Sequence, residues 1–452
     1  MEGYWSLLDV SPDDRRLLVA EYRSINDTRL VELDLKDASL RAVSPLAPVA
    51  SYRGAVYGPD GETIYATSDR GGEFVELYAV QGDDWTSLTG DIPWNVEGLT
   101  RSSDGRTLAF TLNINGVSAL HVLDVVTGTI APVAAVPDGR IRGLSFADSA
   151  PVLGFSLEKP DAPGDVYTVN LETDALTRWT DSEMGGLNPA SFVAPMQIQY
   201  PTFDDREIPA FYYRPPGEGP FPVVINIHGG PEAQARIGFS ARNQYLASEA
   251  GVAVLIPNVR GSNGYGKTYL QLDNGMKRED SVRDIGALLD WIETQPELDA
   301  SRVAVSGGSY GGYMVLAALT HYPRRIRAGI DVVGISDFTS FLENTRAYRR
   351  DLRRAEYGDE RDPEMRSFFE EIAPLNRADQ IQSALFVAHG ANDPRVPLSE
   401  ARQIVDAVRQ NGQDVWVMVA HDEGHGFRKK SNRDTFLMLS ILFLEEHLQA
   451  TP

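Results

Sequence analysis

The chain has 452 residues, 42% of them hydrophobic, so it is too long for one ordinary domain and can bury more than one core. Its formal charge of −22 and pI of about 4.7 argue against nucleic acid or an anionic membrane as the main partner and suit a soluble protein. Cysteine is absent, which excludes disulfides, thiolate catalysis and cysteine-ligated zinc. No apolar run reaches the roughly 18 residues of a membrane helix, and Met1–Val10 lacks the basic and apolar regions of a signal peptide, so the expected location is cytoplasmic.

From the start to about Thr180 one pattern recurs with a period of about 44 residues, in the range of propeller blades. Its marker is an acidic turn followed by a strand. The turns are Ser11-Pro12-Asp13-Asp14, Gly58-Pro59-Asp60-Gly61, Ser102-Ser103-Asp104-Gly105 and a degraded Phe146-Ala147-Asp148-Ser149. Strands are expected after them at Leu17–Ala20, Thr63–Ala66, Thr107–Phe110 and Val152–Phe155, then at Leu30–Leu35, Glu76–Val80, Leu120–Val125 and Val166–Leu171, each unit ending in a short last strand. Four strands per unit fit a blade. Blades bury both faces against their neighbours, so four units imply a small propeller, an open arc completed by another chain, or an array lacking further blades; the last two are favoured.

Beyond about Gly186 the rhythm changes, and we expect domains at residues 1–188 and 189–452. Strands at Met196–Pro201 and Ile208–Arg214 precede a turn-rich break, Pro215 to Pro220, and then apolar runs alternate with amphipathic helices. The runs Val223–Ile227, Val252–Pro257, Arg302–Val305, Ala328–Val333, Ala384–Ala388 and Val415–Val419 read as buried strands, with helices at Asp280–Glu293 and Leu398–Asn411 among those between them. Such alternation predicts a mostly parallel sheet whose ligand sites gather at the C-terminal ends of its strands.

Gly307-Gly308-Ser309-Tyr310-Gly311-Gly312 lies between the strand at Arg302–Val305 and a helix expected over Tyr313–Thr320. This is the form of a nucleophile elbow: a serine on so tight a turn needs glycine two before and two after it, because side chains there would collide with the neighbouring strand and helix. The pentapeptide alone recurs by chance, so its context and partners carry the argument. Asp393 follows the strand ending at Ala388 and His425 follows the last strand, which makes the order nucleophile, acid, base, each just past a sheet strand. Imidazole takes the serine proton during attack, and a carboxylate orients it and stabilises the imidazolium. Asp393 has an alternative as a cap for the following helix, and His421 is a rival base. His228-Gly229-Gly230-Pro231 is expected to supply the second half of an oxyanion hole, with the Gly230 N–H joining that of Tyr310, the alternative being a plain glycine turn.

With these residues in view, the chain resembles the prolyl oligopeptidase family of serine peptidases, most closely its acylaminoacyl-peptidase and dipeptidyl-peptidase-like members. Gly307–Gly312, His228–Pro231, Asn258–Gly266, His389–Pro397 and Asp422–Phe427 carry the resemblance. It implies an α/β-hydrolase domain with a β-propeller, a short-peptide substrate and, at Arg395, a residue that binds a substrate backbone carbonyl; the alternative for Arg395 is a structural ion pair. Family members carry about seven blades and an N-terminal segment packed on the hydrolase; the four units legible here make assembly with further copies of the chain, a homo-oligomer, an expectation.

Arg346, Arg349, Arg350, Arg353 and Arg354 fall on one expected helix after the strand near Val333, where they either hold a peptide carboxylate or meet Asp351, Glu356, Asp359 and Glu360. The expected activity is serine peptidase action on short or N-acylated peptides through an acyl-enzyme on Ser309, with no metal and no organic cofactor. The alternatives are a carboxylesterase with the same triad and a propeller interaction protein whose hydrolase half is inactive.

Overall fold

The computed structural model describes residues 3–184 and 187–448. It divides into two units. The first comprises Met1–Ala190 together with Arg236–Phe239 and Asn263–Leu270; the second comprises Ser191–Ala235, Ser240–Ser262 and Gln271–Pro452.

The first unit holds four antiparallel sheets, each of four strands consecutive in the chain. The second sheet, Tyr52–Tyr57, Ile64–Ser68, Glu76–Gln81 and Asp84–Ser87, is typical. The acidic turn joins the first strand of each sheet to the second, so the strands expected from the turns are the second and third, and the unmarked first strand precedes them. The turns owe their composition to side-chain oxygens that close them. Asp60 accepts from the N–H groups of Glu62 and Thr63 at 3.0 and 2.9 Å and from the Thr63 hydroxyl at 2.7 Å. Ser11 and Ser102 donate to Asp13 and Asp104, each at 2.6 Å. The fourth turn has Ala147 at the corresponding place and so lacks that hydroxyl.

Alternation along the strands fills two cores from one sheet. Ile64 and Ala66 pack with Leu18 and Leu30 of the first sheet, while Tyr65 between them packs with Leu108 and Phe110 of the third. Ala109 turns the other way, toward Leu153 and Phe155 of the fourth. The second and third sheets are thereby held from both faces, as the period-2 pattern allows. The first strands of consecutive sheets also pack on one another in order.

The second unit is built on one eight-stranded sheet. Across it run Met196–Pro201, Glu207–Tyr213, Ala253–Pro257, Phe221–Ile227, Leu298–Gly308, Ala328–Val332, Ala384–Gly390 and Val415–Ala420. The first two pairs at that edge, Met196–Pro201 with Glu207–Tyr213 and Glu207–Tyr213 with Ala253–Pro257, are antiparallel, and the remaining five are parallel. Every strand expected from the apolar runs is present. The helix expected at Asp280–Glu293 begins at Arg278, and the one expected at Tyr313–Thr320 spans Tyr310–His321, so it starts on the residue after Ser309. Val224, Val254, Ala304, Ile330, Phe386 and Ala388 form the sheet side of the core, and Phe443 and Leu444 of the last helix, Lys430–Leu448, close it.

Asp331, on the strand Ala328–Val332, is fully buried in this sheet, and among the described residues neither of its carboxyl oxygens makes a hydrogen bond of good geometry. Burial pushes its pKa up to about 7; the nearby Gly334 N–H opposes this and the charge of Glu400 adds to it. The folded state therefore holds a proton that the unfolded chain releases near pH 4, and stability contributed by this group is lost as pH rises toward 7. Melting of wild type and Asp331→Asn at pH 5 and pH 8 tests this: the variant should gain on wild type at pH 8, and parallel shifts in both proteins would refute it. For Asp60 the sign is opposite. Burial raises its pKa, but the Thr63 hydroxyl and the N–H groups outweigh that and hold it below the usual carboxylate value. Asp60→Ala should cost roughly 1 kcal/mol at pH 7, and denaturant titrations should show the difference shrinking as pH falls below 4.

Candidate active site

The strand Leu298–Gly308 ends in the elbow. Ser309 sits at φ 60° and ψ −120°, a conformation rare for a residue with a side chain, immediately before the helix Tyr310–His321. Three hydrogen bonds hold it there. Its N–H donates to the Val332 carbonyl at 2.9 Å, and its carbonyl accepts from Gly312 and Tyr313 at 2.9 and 3.2 Å. A Cβ at Gly307 would strike the Gly311 carbonyl and one at Gly311 would strike that of Ile227, so the two glycines are required by the closeness of the crossing chains. The Tyr310 N–H is among the unpaired donors of the helix N-terminus.

Asp393 and His425 meet beyond the ends of the next two strands. His425 Nδ1 lies 2.7 Å from Asp393 Oδ2, and the Asp393 side chain is wholly buried. The other oxygen of Asp393 accepts from the N–H groups of Arg395 and Val396 at 2.7 and 3.1 Å. Asp393 therefore closes its own loop and does not cap the helix Leu398–Gln410, whose N-cap is Pro397. His389 lies 3.8 Å from Asp393, but burial lowers its pKa and its Nε2–H donates to the Val396 carbonyl at 3.0 Å. His421 is exposed, and its carbonyl accepts from Asn392 Nδ2 at 2.7 Å. The loops bearing Asp393 and His425 are further joined by Ala391 N–H to Ala420 and Asn392 N–H to Glu423, both at 2.9 Å.

Ser309 and His425 line one cavity of about 390 Å³, together with Gly229, Gly230, Glu232, Arg349, Arg353, Arg395 and an apolar wall that includes Ile335, Phe341 and Tyr357. Gly229 passes so close to the elbow that a Cβ on it would lie 2.8 Å from the Gly308 carbonyl. Gly230 has φ 122°, and its carbonyl is turned away to accept from Arg353 at 3.0 Å and from the Tyr357 hydroxyl at 2.8 Å. Arg353 also binds Glu232 at 3.1 Å and Glu356 at 2.7 Å. Burial, and then the charge of Glu232, push Glu356 up to about 8 against the pull of Arg353. Arg395 is exposed and has no carboxylate within ion-pair distance among the described residues, so the structural pairing considered for it is not made.

Behind the elbow lies a second buried group of charges. Arg278 is wholly buried, pairs with Asp273 and donates to the Tyr310 hydroxyl at 3.2 Å and to the Glu356 carbonyl at 2.8 Å. Ser281 bonds the same hydroxyl at 2.9 Å. Removing either ion would leave the other buried and unpaired, at a cost of about 3–5 kcal/mol. Within the motif Asn258–Gly266, Arg260 is bound by Asp284 and Asp204 at 2.9 and 3.0 Å, and Gly261 lies against Asp273 where no side chain fits. Glu232, Tyr357, Asp273 and Arg278 were not anticipated from sequence; Glu232 alone had a local signal, following the His228–Pro231 turn directly. Among the described residues no group of three or more histidine and carboxylate side chains could hold a metal ion, and no helix is long and apolar enough to cross a membrane.

Residues 237–451 match the prolyl oligopeptidase family model. The chain is 29% identical over 406 residues to dipeptidyl aminopeptidase BIII of Pseudoxanthomonas mexicana, covering 86% of this chain and 58% of that protein. It is also 29% identical over 234 residues to the acylamino-acid-releasing enzyme of Arabidopsis thaliana, 49% of this chain and 30% of that one. The chain thus spans little more than half the length of the first of these relatives and less than a third of the second. A puromycin-hydrolyzing peptidase of Mycobacterium tuberculosis shares the fold with a TM-score of 0.89 at 23% identity, over 100% of this chain and 71% of that structure. The fold is accordingly a β-propeller-type array with an α/β-hydrolase, and residues 237–451 carry a domain of the prolyl oligopeptidase family.

Proposed function

We propose that the protein is a serine peptidase that hydrolyses short peptides or N-acylated peptides through an acyl-enzyme on Ser309. The observation that carries the reading is the 2.7 Å pairing of His425 with the buried Asp393 in the cavity that also exposes Ser309 on its strained elbow. With Nδ1–H donating to Asp393, the other nitrogen of His425 is left to accept the Ser309 proton as the hydroxyl attacks the carbonyl. Negative charge then develops on the carbonyl oxygen, where the N–H groups of Tyr310 and Gly230 receive it. His425 passes its proton to the leaving amine, and water repeats the sequence on the acyl-enzyme. The hold of Arg353 and Tyr357 on the Gly230 carbonyl supports this role, since it fixes the orientation of the loop. Arg395, exposed at the cavity, is free to take a backbone carbonyl of the substrate. The family domain and the peptidase names of the relatives support the reaction class; their two kinds of amino terminus, free and acylated, are why both substrate types are kept.

A panel of an N-acetylated amino-acid anilide, a free-amine dipeptidyl anilide, a blocked peptide anilide and a p-nitrophenyl ester tests the reading. Wild type should turn over at least one anilide and take up a fluorophosphonate, and Ser309→Ala should lose both. Ester-only turnover would make it an esterase, and a folded protein without turnover or labelling would refute the proposal. Asp393→Asn should lower kcat by about 10³–10⁴-fold, as loss of the orienting carboxylate does in serine hydrolases, whereas His421→Ala should leave it within about threefold. Equal losses in the two variants would reassign the base.

A further inference from the structure

The five arginines at 346–354 do not share one fate. Arg354 is consumed by Glu360, by Asp351 at 2.9 Å and by Asp359 at 3.5 Å. Arg353 is consumed by Glu232 and Glu356. Arg350 donates to the carbonyls of Glu343 and Thr345 at 3.0 and 3.2 Å. Arg346 is exposed at the start of the helix Ala347–Tyr357. Arg349 differs from all of these. It is half-buried, it lines the cavity of Ser309 and His425, and among the described residues no carboxylate lies within ion-pair distance of it. Its charged neighbours are Arg353, one helical turn away on the same face, and Arg395; burial first, and then these two like charges, lower its pKa.

The charge balance of the cavity is therefore positive. Three guanidinium groups line it against one carboxylate, Glu232, and Glu356 behind Arg353 tends toward its protonated form at neutral pH. This occurs in a chain of net charge −22, where an unpaired cation ordinarily finds an acidic neighbour. The apolar wall of Ile335, Phe341, Tyr357 and Val396 weakens solvent screening, so an anion entering here gains more than it would at the surface. A guanidinium presents a planar fork suited to a carboxylate.

We propose that Arg349 is a specificity residue that holds a carboxylate of the substrate beside the bond Ser309 attacks, with Arg395 adding to the field. The proposal rests on Ser309 being the nucleophile. The carboxylate has two sources: an acidic side chain on the residue whose carbonyl is attacked, or the free C-terminus of a short peptide on the leaving side.

The test compares kcat/KM on N-acetyl-Glu and N-acetyl-Gln p-nitroanilides, and on a blocked Ala-Ala peptide with a free or an amidated C-terminus. One pair should favour the acid by roughly tenfold or more, the scale of a hydrogen bond to a charged group, and which pair does so identifies the source. Arg349→Met should bring that ratio to within about twofold, Arg349→Lys should retain part of it, and Arg349→Glu should turn preference toward N-acetyl-Lys p-nitroanilide. Melting curves and fluorophosphonate labelling of each variant verify an intact fold and elbow. Calorimetry of N-acetylglutamate, N-acetylglutamine, acetyl-Ala-Ala and its amide on Ser309→Ala reads the cavity without catalysis, so failure of the nucleophile assignment and failure of the carboxylate subsite are separable. Absence of acid preference in both substrate pairs, or a preference untouched in Arg349→Met, overturns the proposal. If no substrate is turned over, loss of acid-selective binding on adding Arg349→Met to Ser309→Ala supports it, and binding that does not discriminate overturns it.

Discussion

Steric exclusion at the crossing of three chain segments governs the site. The elbow strand, the helix that leaves it and the strand ending at Ile227 approach so closely that residues 307 and 311 have room for hydrogen alone. That crowding forces Ser309 into its positive-φ conformation and brings Gly229 against the elbow. Hydrogen bonding then secures what exclusion has arranged, with Val332 holding the serine N–H and Arg353 and Tyr357 holding the Gly230 carbonyl. Strain of this kind persists only where the surroundings over-determine it, and here the sheet core supplies that rigidity.

Electrostatics does a different job on each side of the elbow. Behind it, Arg278 and Asp273 neutralise one another in complete burial and engage the Tyr310 hydroxyl, so the ring following Ser309 is held at its polar tip as well as by packing against Tyr313 and Tyr357. In front of it, Arg353 is shared between Glu232 and Glu356 and fixes the loop, leaving Arg349 and Arg395 without acidic partners among the described residues. The same residue type is structural in one place and available to a ligand in another, and the difference lies in whether a carboxylate reaches it.

How much of this was readable beforehand follows from the range of each interaction. The elbow is local in sequence, so its glycines announced it. Asp393 and His425 are far apart, yet their positions just past successive strands made them recognisable, because a parallel sheet brings such positions to one edge. The acidic turns disclosed the strands that follow them, but the first strand of each sheet precedes its turn and carried no marker. The pairing of Arg278 with Asp273, and of Arg353 with Glu232, depends on loops whose paths no periodicity encodes. Choosing among five arginines on one helix was harder still: Arg349 and Arg350 are neighbours in sequence but about 100° apart around the axis, and only the packed helix decides which of them lines the cavity.

The bonds joining the loop of Asp393 to that of His425 tie the two side chains to one another through the backbone as well as through their own contact. Ala391 and Asn392 bond to Ala420, His421 and Glu423, so displacing one loop alone costs these three hydrogen bonds. A movement that parts Asp393 from His425 must first break these bonds, so loop motion that leaves them intact carries both side chains together.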